Sequence, residues 1–178
     1  VNGAVVQSEF GEILFTSGGI EGALGFRVSR KGVKGLINGQ KVELSIDLKP
    51  AVSIEDLNKR IREIVGEIGG FKVNKLLQKL MPSQMVESFS EGASGLNADN
   101  LASRLKDWRF RITGYVGYER CVVTAGGVSL DEISRKTMES KLSEGLYFAG
   151  EVIDMDGDTG GYNLQIAFST GALAADSA

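Results

Sequence analysis

The spacing of apolar residues changes twice along this chain of 178 residues, and this limits the folds that it can adopt. Residues 42–48 alternate between apolar and polar side chains, which predicts a strand with one buried face. Between residues 53 and 107 apolar residues recur at helical spacing, and after Trp108 the two-residue period returns. This order predicts a helical subdomain inserted into a β subdomain, with a return strand at 108–116 that pairs with strands before residue 50.

Local signals place helices in the middle of the chain. Ser53 is a favourable N-cap, and Gly69 and Gly70 end the helix that it begins. Further helices are predicted over residues 73–80 and 84–91 and after Asn97.

The first 50 residues are predicted to be mostly β structure. Short strands are expected at Val5–Val6 and at residues 13–15. Residues 23–29 fit either a short helix or a buried strand, of which the helix is favoured. Asn38-Gly39 is the clearest hairpin signal, because both central positions of a type I′ turn need positive φ.

The last third of the chain has a different pattern. Two apolar strands are predicted, at residues 121–128 and 146–149, and both end in glycine-rich turns. A helix of mainly small and apolar residues follows from residue 162. Strand, loop and helix make up half of a βαβ unit.

Composition excludes several kinds of chemistry. Histidine is absent and Cys121 is the single cysteine, which excludes an internal disulfide, imidazole ligands and histidine-activated nucleophiles. The apolar surroundings of Cys121 favour a buried, inert thiol. The net charge is −3 and basic residues are scattered, so we expect no nucleic-acid partner.

Nothing in the sequence indicates a membrane partner or a signal peptide. No apolar run approaches the roughly 20 residues that span a bilayer, and the start, VNGAVVQSEFGE, lacks the features of a signal peptide. A cytoplasmic protein is therefore expected. The chain begins at Val1 without an initiator methionine, so we also expect a piece of a longer protein.

The acidic run IDMDGD has the spacing of a calcium loop. Asp154, Asp156 and Asp158 correspond to the first ligand positions. Thr159 and Gln165 stand where that loop needs glycine and glutamate, so calcium is disfavoured.

Two other interpretations of this run stay open on spacing alone. In one, Gly160 and Gly161 let a ligand approach the backbone, and the helix N–H groups that follow face an anionic group or the electron-rich edge of a planar ring. In the other, the acidic turn only stabilises its own helix.

Three segments together resemble one bacterial family: GEILFTSGGIEGALGF, TAGGVSLDEI and TMESKLSEGLYFAGEVIDMDGDTGGYNLQIAFSTG. It is the family of FAD-containing, NAD(P)/FAD-dependent oxidoreductases often described as aminoacetone-oxidase-like flavoproteins. The run from Gly145 to Gly171 is highly specific, whereas the helical middle matches only in placement.

The resemblance implies an α+β protein in three parts. Residues 1–50 and 108–120 would form a small β-barrel-like subdomain, residues 51–107 the inserted helical subdomain, and residues 121–178 a partial α/β segment of an FAD-binding domain. The N-terminal part of such a domain, with its GxGxxG loop, is not found in these residues. We therefore expect FAD in the full-length protein and weak or no binding by this chain alone.

The resemblance also assigns cofactor contacts. The carboxylate of Glu151, after Gly150, would meet the ribityl or diphosphate region, and Asp154 is a weaker candidate near the pyrimidine or the mouth of the active site. The flavin ring would lie along the helix start and the neighbouring strand end, which adds Gly126, Gly127, Val128, Gly160, Gly161, Tyr162, Asn163, Leu164 and Gln165. Asp156 and Asp158 are expected to be solvated charges, and no catalytic residue or metal ligand is predicted.

The parent protein is therefore predicted to be an FAD-dependent oxidoreductase. Hydride would pass from NAD(P)H to the flavin and on to an unknown small molecule or to oxygen. This chain would supply one side of the flavin site and a substrate-gating insert, and the N-terminal FAD-domain segment would be its partner. The alternative is a non-catalytic module for interaction or self-association through residues 53–107, and a homodimer stays open.

Overall fold

The computed structural model describes residues 1–93 and 95–178, and for Arg120 the backbone only. Two compact units divide the chain: unit 1 is Val1–Lys41 with Thr113–Ala178, and unit 2 is Val42–Ile112. The subdomain borders predicted from sequence stay a prediction. The elements in chain order are β1 (Leu14–Thr16), β2 (Gly19–Glu21), α1 (Ala23–Ile37), β3 (Val42–Ile46), α2 (Ile54–Glu67), α3 (Val73–Gln78), α4 (Ser83–Gly92), α5 (Leu101–Lys106), β4 (Trp108–Ile112) and α6 (Tyr162–Ala175).

The predicted return strand is confirmed in unit 2. β4 pairs antiparallel with β3, so that Val42 lies opposite Ile112 and Ile46 lies opposite Trp108. Val42 and Ile46 are buried while Glu43 between them is exposed, as the two-residue period requires.

The predicted helices between the two strands are confirmed as well. The Ser53 hydroxyl accepts a hydrogen bond from the backbone N–H of Asp56 at 3.0 Å and so caps α2. At the other end Gly69 has φ of +69°, and the N–H of Gly70 donates to the carbonyl of Val65. This closing turn needs a left-handed residue, which glycine provides at little cost.

The apolar stripes of these helices meet in the core of unit 2. The indole of Trp108 packs against the ring of Phe89, with centroids 5.3 Å apart, and so joins the sheet to α4. Among the described residues, the side chains with no exposed surface are Ile61, Ile64, Leu76, Leu77, Phe89, Leu101, Ala102 and Leu105.

One carboxylate of unit 2 makes its stability depend on pH. The Ser45 hydroxyl donates a hydrogen bond to Asp107 and, with a smaller contribution from Arg109, holds the pKa of that carboxyl below its usual range. The stabilisation is therefore present at neutral pH and lost as pH falls below the ordinary Asp value of 3.8. We expect Ser45→Ala to lower the unfolding free energy by less than about 1 kcal/mol at pH 7, because the pair is partly exposed.

The difference between wild type and Ser45→Ala should shrink when urea unfolding is repeated at pH 3. A suitable control is Ser103→Ala, since the Ser103 hydroxyl donates to the carbonyl of Asn100, which does not titrate. A Ser45→Ala effect that is equal at both pH values would contradict the coupling to Asp107.

The predicted hairpin at Asn38-Gly39 is wrong. The residues before it continue the helix predicted from residue 23, so that α1 extends to Ile37 and Asn38 is its C-cap. Gly39 has φ of +68°, and the N–H of Gln40 donates to the carbonyl of Gly35 at 2.9 Å. A positive φ serves a helix end as well as a type I′ turn, and the dipeptide does not distinguish them.

The other N-terminal strands differ from the prediction in position. β1 and β2 form an antiparallel hairpin in which Thr16 lies opposite Gly19. Val5 and Val6 are exposed and lie in no strand, because no neighbouring segment of the described chain pairs with them. Among the described residues there are two separate two-stranded sheets and no closed barrel, which corrects the predicted β-barrel-like subdomain.

The strands predicted at residues 121–128 and 146–149 are absent from the described structure. Only isolated bridges form there, such as the parallel pair Val128 and Ile153, and a regular strand needs a continuous neighbour. Cys121 is exposed, contrary to the predicted buried thiol. A small apolar cluster organises this part of unit 1, with Ile133, Met138 and Ile153 at its centre and Val128, Leu130, Phe148, Leu173 and Ala174 around it.

Of the helices in residues 1–93 and 95–178, none is long and apolar enough to cross a bilayer.

Candidate functional site

A tight turn precedes the acidic loop in unit 1. Gly150–Val152 form a single 3₁₀ turn, in which Gly150 has φ of +73°. The backbone N–H of Gly150 donates to the Thr170 hydroxyl on α6 at 2.9 Å, and that hydroxyl donates to the carbonyl of Ile166 at 2.7 Å. Thr170 thus fixes the turn to the helix. The sequence analysis did not single out Thr170, although a hydroxyl residue within a mainly apolar helix is a signal for such a contact.

The side chain of Glu151 reaches back to the segment before it. Its carboxylate accepts a hydrogen bond from the backbone N–H of Thr124 at 2.7 Å. The predicted strand end and the Gly150 turn are therefore neighbours, as the predicted site requires. The contact between Glu151 and a cofactor stays a prediction.

Gly127 lies against the backbone of the turn. A Cβ atom at this position would be 2.3 Å from the carbonyl oxygen of Val152, closer than any side chain tolerates, and φ is +148°. At Gly126, where φ is +96°, a Cβ atom would have no atom within 4 Å of it. The close approach at Gly127 lets the Val128 N–H donate to the Val152 carbonyl at 2.9 Å.

The loop between this turn and α6 is held at its start and in its middle. The N–H of Asp154 donates to the carbonyl of Val128 at 2.9 Å. The Asn163 side chain accepts from the N–H of Gly157 at 2.8 Å and donates to its carbonyl at 2.9 Å. Asn163 was predicted as a cofactor contact, and its amide group is engaged by the loop.

A third restraint comes from the helix α1. The guanidinium of Arg30 binds the carboxylate of Asp156 through two contacts, Nε to Oδ2 at 2.8 Å and Nη2 to Oδ1 at 3.0 Å. The prediction of a solvated charge is therefore wrong for Asp156, whose side chain is 16% exposed, whereas Asp158 is exposed. Within the described residues no group of three or more acidic or cysteine side chains is placed to hold a metal ion.

The N-terminus of α6 has no side-chain cap. Gly161 is its N-cap residue, in the left-handed conformation. By helix geometry the first N–H groups, those of Tyr162, Asn163 and Leu164, have no acceptor within the helix and carry partial positive charge. Gly160 and Gly161 leave the space beside these donors free of side chains of their own.

The side chains around this end present an apolar surface. Tyr162 is 63% exposed and Leu164 is 64% exposed, on different sides of the first turn, and Phe168 continues the Leu164 side one turn later. The Gln165 amide donates to the hydroxyl of Ser169 at 2.9 Å and so stays on the helix surface. An uncapped set of N–H donors beside exposed apolar and aromatic side chains suits a planar ligand with an anionic edge.

The model of one protein family, described as the HI0933-like protein Rossmann domain, matches residues 13–177. A 3-dehydro-bile acid delta(4,6)-reductase of Clostridium scindens is 30% identical to the chain over 96% of its length. Ribosomal RNA dihydrouridine synthases are 33% identical, over 92% of the chain for that of Haemophilus influenzae and 95% for that of Escherichia coli.

The chain spans less than half the length of these relatives: 44% of the reductase and 41% and 42% of the two synthases. The match confirms a mixed α/β protein with a Rossmann-type domain. The roles of the individual site residues stay predictions.

Proposed function

The chain belongs to the HI0933-like Rossmann-domain family, and from this premise we propose that it is part of an FAD-dependent reductase. The single observation that carries the proposal is the uncapped N-terminus of α6, presented by Gly160 and Gly161 and held in place by the loop before it.

The residues present fit a flavin by the chemistry of their donors. The first N–H groups of α6 would face the N1 and C2=O edge of the ring, which is where negative charge lies in the reduced form. Tyr162 and Leu164 would cover part of the ring with apolar surface. A bound flavin would supply the hydride chemistry, which amino-acid side chains do not provide.

The remaining predicted contacts would orient the cofactor. Gly126 would let the ring approach the backbone, because its Cβ direction is open, whereas the same direction at Gly127 faces the Val152 carbonyl. Glu151 would shape the ribityl side, because its carboxylate holds the Thr124 N–H at 2.7 Å. Asp154 would lie at the mouth of the site, where its side chain is exposed.

The names of the relatives suggest a class of substrate. A 3-dehydro-bile acid with delta(4,6) unsaturation is a ketone conjugated with carbon–carbon double bonds, and dihydrouridine is uridine with two hydrogens added to a double bond conjugated with a carbonyl. We propose that the full-length protein likewise adds two hydrogens to a carbon–carbon double bond conjugated with a carbonyl, with NAD(P)H as the source of hydride.

The absorption spectrum of the full-length protein tests the cofactor directly. We expect purified protein to show flavin bands that bleach on anaerobic addition of NADH or NADPH. Separate assays with a conjugated dienone steroid and with uridine-containing ribosomal RNA then distinguish the two kinds of substrate. A colourless protein that takes up no added FAD would overturn the proposal.

The variant Leu164→Glu tests whether the N-terminus of α6 binds a ligand or is only the end of a helix. A carboxylate in the first turn stabilises the helix by about 0.3–1 kcal/mol, so the melting temperature should stay equal or rise. The same charge should repel the anionic edge of the flavin and weaken FAD binding about tenfold, a loss of roughly 1.4 kcal/mol. Leu164→Gln is the neutral control, and equal FAD affinity in both variants would argue against the assigned orientation.

The alternative proposal is a non-catalytic interaction module. The sequence predicts its contact surface on residues 53–107, and a separate observation that favours it is the exposed apolar surface of α6, where Phe168 is 70% exposed. On this alternative, the full-length protein would be colourless and its mass in solution would exceed that of one chain.

A further inference from the structure

The ion pair between Arg30 and Asp156 joins two parts of the chain that are 126 residues apart. Arg30 lies on the third turn of α1, and Asp156 lies in the middle of the loop that leads to α6. Both carboxylate oxygens are engaged, and the Asp156 side chain is largely covered at 16% exposed. A bidentate pair of this kind fixes orientation as well as distance.

The loop needs such a restraint because its sequence is permissive. Gly157, Gly160 and Gly161 fall within five residues, and glycine gives the backbone more conformations than any other residue. The hydrogen bonds from Asn163 tie the loop to α6 itself, so they do not fix it to the rest of unit 1. At its start the loop is tied to Val128 through the N–H of Asp154. The ion pair between Asp156 and Arg30 on α1 is therefore a separate restraint, one residue before Gly157, to which the Asn163 side chain binds.

We infer that Arg30 is a positioning residue for the cofactor site, acting through Asp156 on the loop and the N-terminus of α6. The inference rests on the proposed function, since the positioned group is the row of N–H donors that would meet the flavin. Misplacement of such donors by a fraction of an ångström weakens their interaction with a developing charge. The guanidinium of Arg30 binds Asp156, which is outside the proposed cofactor contact set, so its effect on the cofactor is indirect.

The chemistry of the pair makes the inference specific to arginine. A lysine ammonium is a point charge and reproduces the net charge without the planar, two-point contact. Arg30→Lys should therefore restore little of what Arg30→Gln loses. The reversed pair, Arg30→Asp with Asp156→Arg, retains both partners and the two-point geometry, and should recover part of the function.

The experiment uses full-length apo-protein titrated with FAD. We expect Arg30→Gln and Asp156→Asn to weaken FAD binding about tenfold and to shift the flavin reduction potential and visible spectrum, with partial recovery in the reversed pair. Lys31→Gln is the matched control, because it removes a charge from an exposed neighbouring position of the same helix. Hydrogen exchange of residues 154–161 in the apo-protein should become faster in both variants and stay unchanged in the control.

The outcomes separate this inference from the proposed function. If wild-type protein binds no FAD, the proposed function fails, while the exchange data still report on the loop. If wild type binds FAD and both single variants match its affinity, potential and exchange, Arg30 has no positioning role. A lower melting temperature of the two single variants, with unchanged FAD affinity, flavin reduction potential and hydrogen exchange, would also overturn the inference. Should Arg30→Gln not fold, Asp156→Asn and the reversed pair decide the question with the same measurements.

Discussion

Gly127→Ala is expected to cost about 3 kcal/mol of unfolding free energy in unit 1 and to abolish FAD binding by the full-length protein. The added methyl group would lie 2.3 Å from the Val152 carbonyl oxygen, so one of two backbone segments must move. That movement breaks the parallel bridge between Val128 and Ile153, and the loop that starts at Asp154 shifts with it.

The control for this experiment is one residue away. Gly126 also has positive φ, at +96°, but its Cβ direction is open. Gly126→Ala should therefore cost only about 1 kcal/mol, from backbone strain alone. Thermal unfolding of both variants measures the difference in stability, and FAD titration is confined to Gly127→Ala and wild type, because Gly126 is itself a proposed cofactor contact. Equal losses in the two variants would mean that strain, and not the close approach to Val152, determines the need for glycine.

Ile61→Ala is expected to lower the stability of unit 2 by about 4 kcal/mol. The Ile61 side chain is fully buried on α2, so truncation removes apolar burial and leaves a cavity. Ile54→Ala is the matched control, since Ile54 begins the same helix and is 39% exposed. It should cost less than about 1 kcal/mol. Urea unfolding of both variants is the measurement, and similar losses would show that the core of unit 2 is assigned wrongly.

The middle of the chain was predictable because its signals are local. A serine cap, an apolar stripe and two closing glycines lie within 18 residues of one another, and they specify α2 without reference to the rest of the fold. The pairing of β3 with β4 also followed from sequence, since the two-residue period returns directly after the helices.

The ends of the chain were less predictable for two physical reasons. Asn38-Gly39 supplies a positive φ, which both a hairpin and a helix end require, so the dipeptide alone does not decide between them. The segments at 121–128 and 146–149 have the composition of strands, but a strand forms only where another strand offers hydrogen bonds.

The candidate site was likewise predictable from the sequence only in part. The open helix N-terminus after Gly161 was predictable, because glycines before an apolar helix indicate it directly. The engagement of Asp156 by Arg30 was not, because no pattern within either segment points to the other. Contacts between distant positions depend on the whole fold, and a single sequence carries no local signal for them.

The division into units has a consequence for the order of folding. Unit 2 is one continuous stretch, Val42–Ile112, whereas unit 1 is assembled from two stretches that unit 2 separates in sequence. During synthesis unit 2 has all its residues before Asp156 exists, while Arg30 must wait for a partner 126 residues later. Bringing together two residues so far apart in the sequence is slow and has an entropic cost. The loop before α6 is therefore expected to acquire its order last, and a ribosome that stops early would release a chain with unit 2 folded and the candidate site unformed.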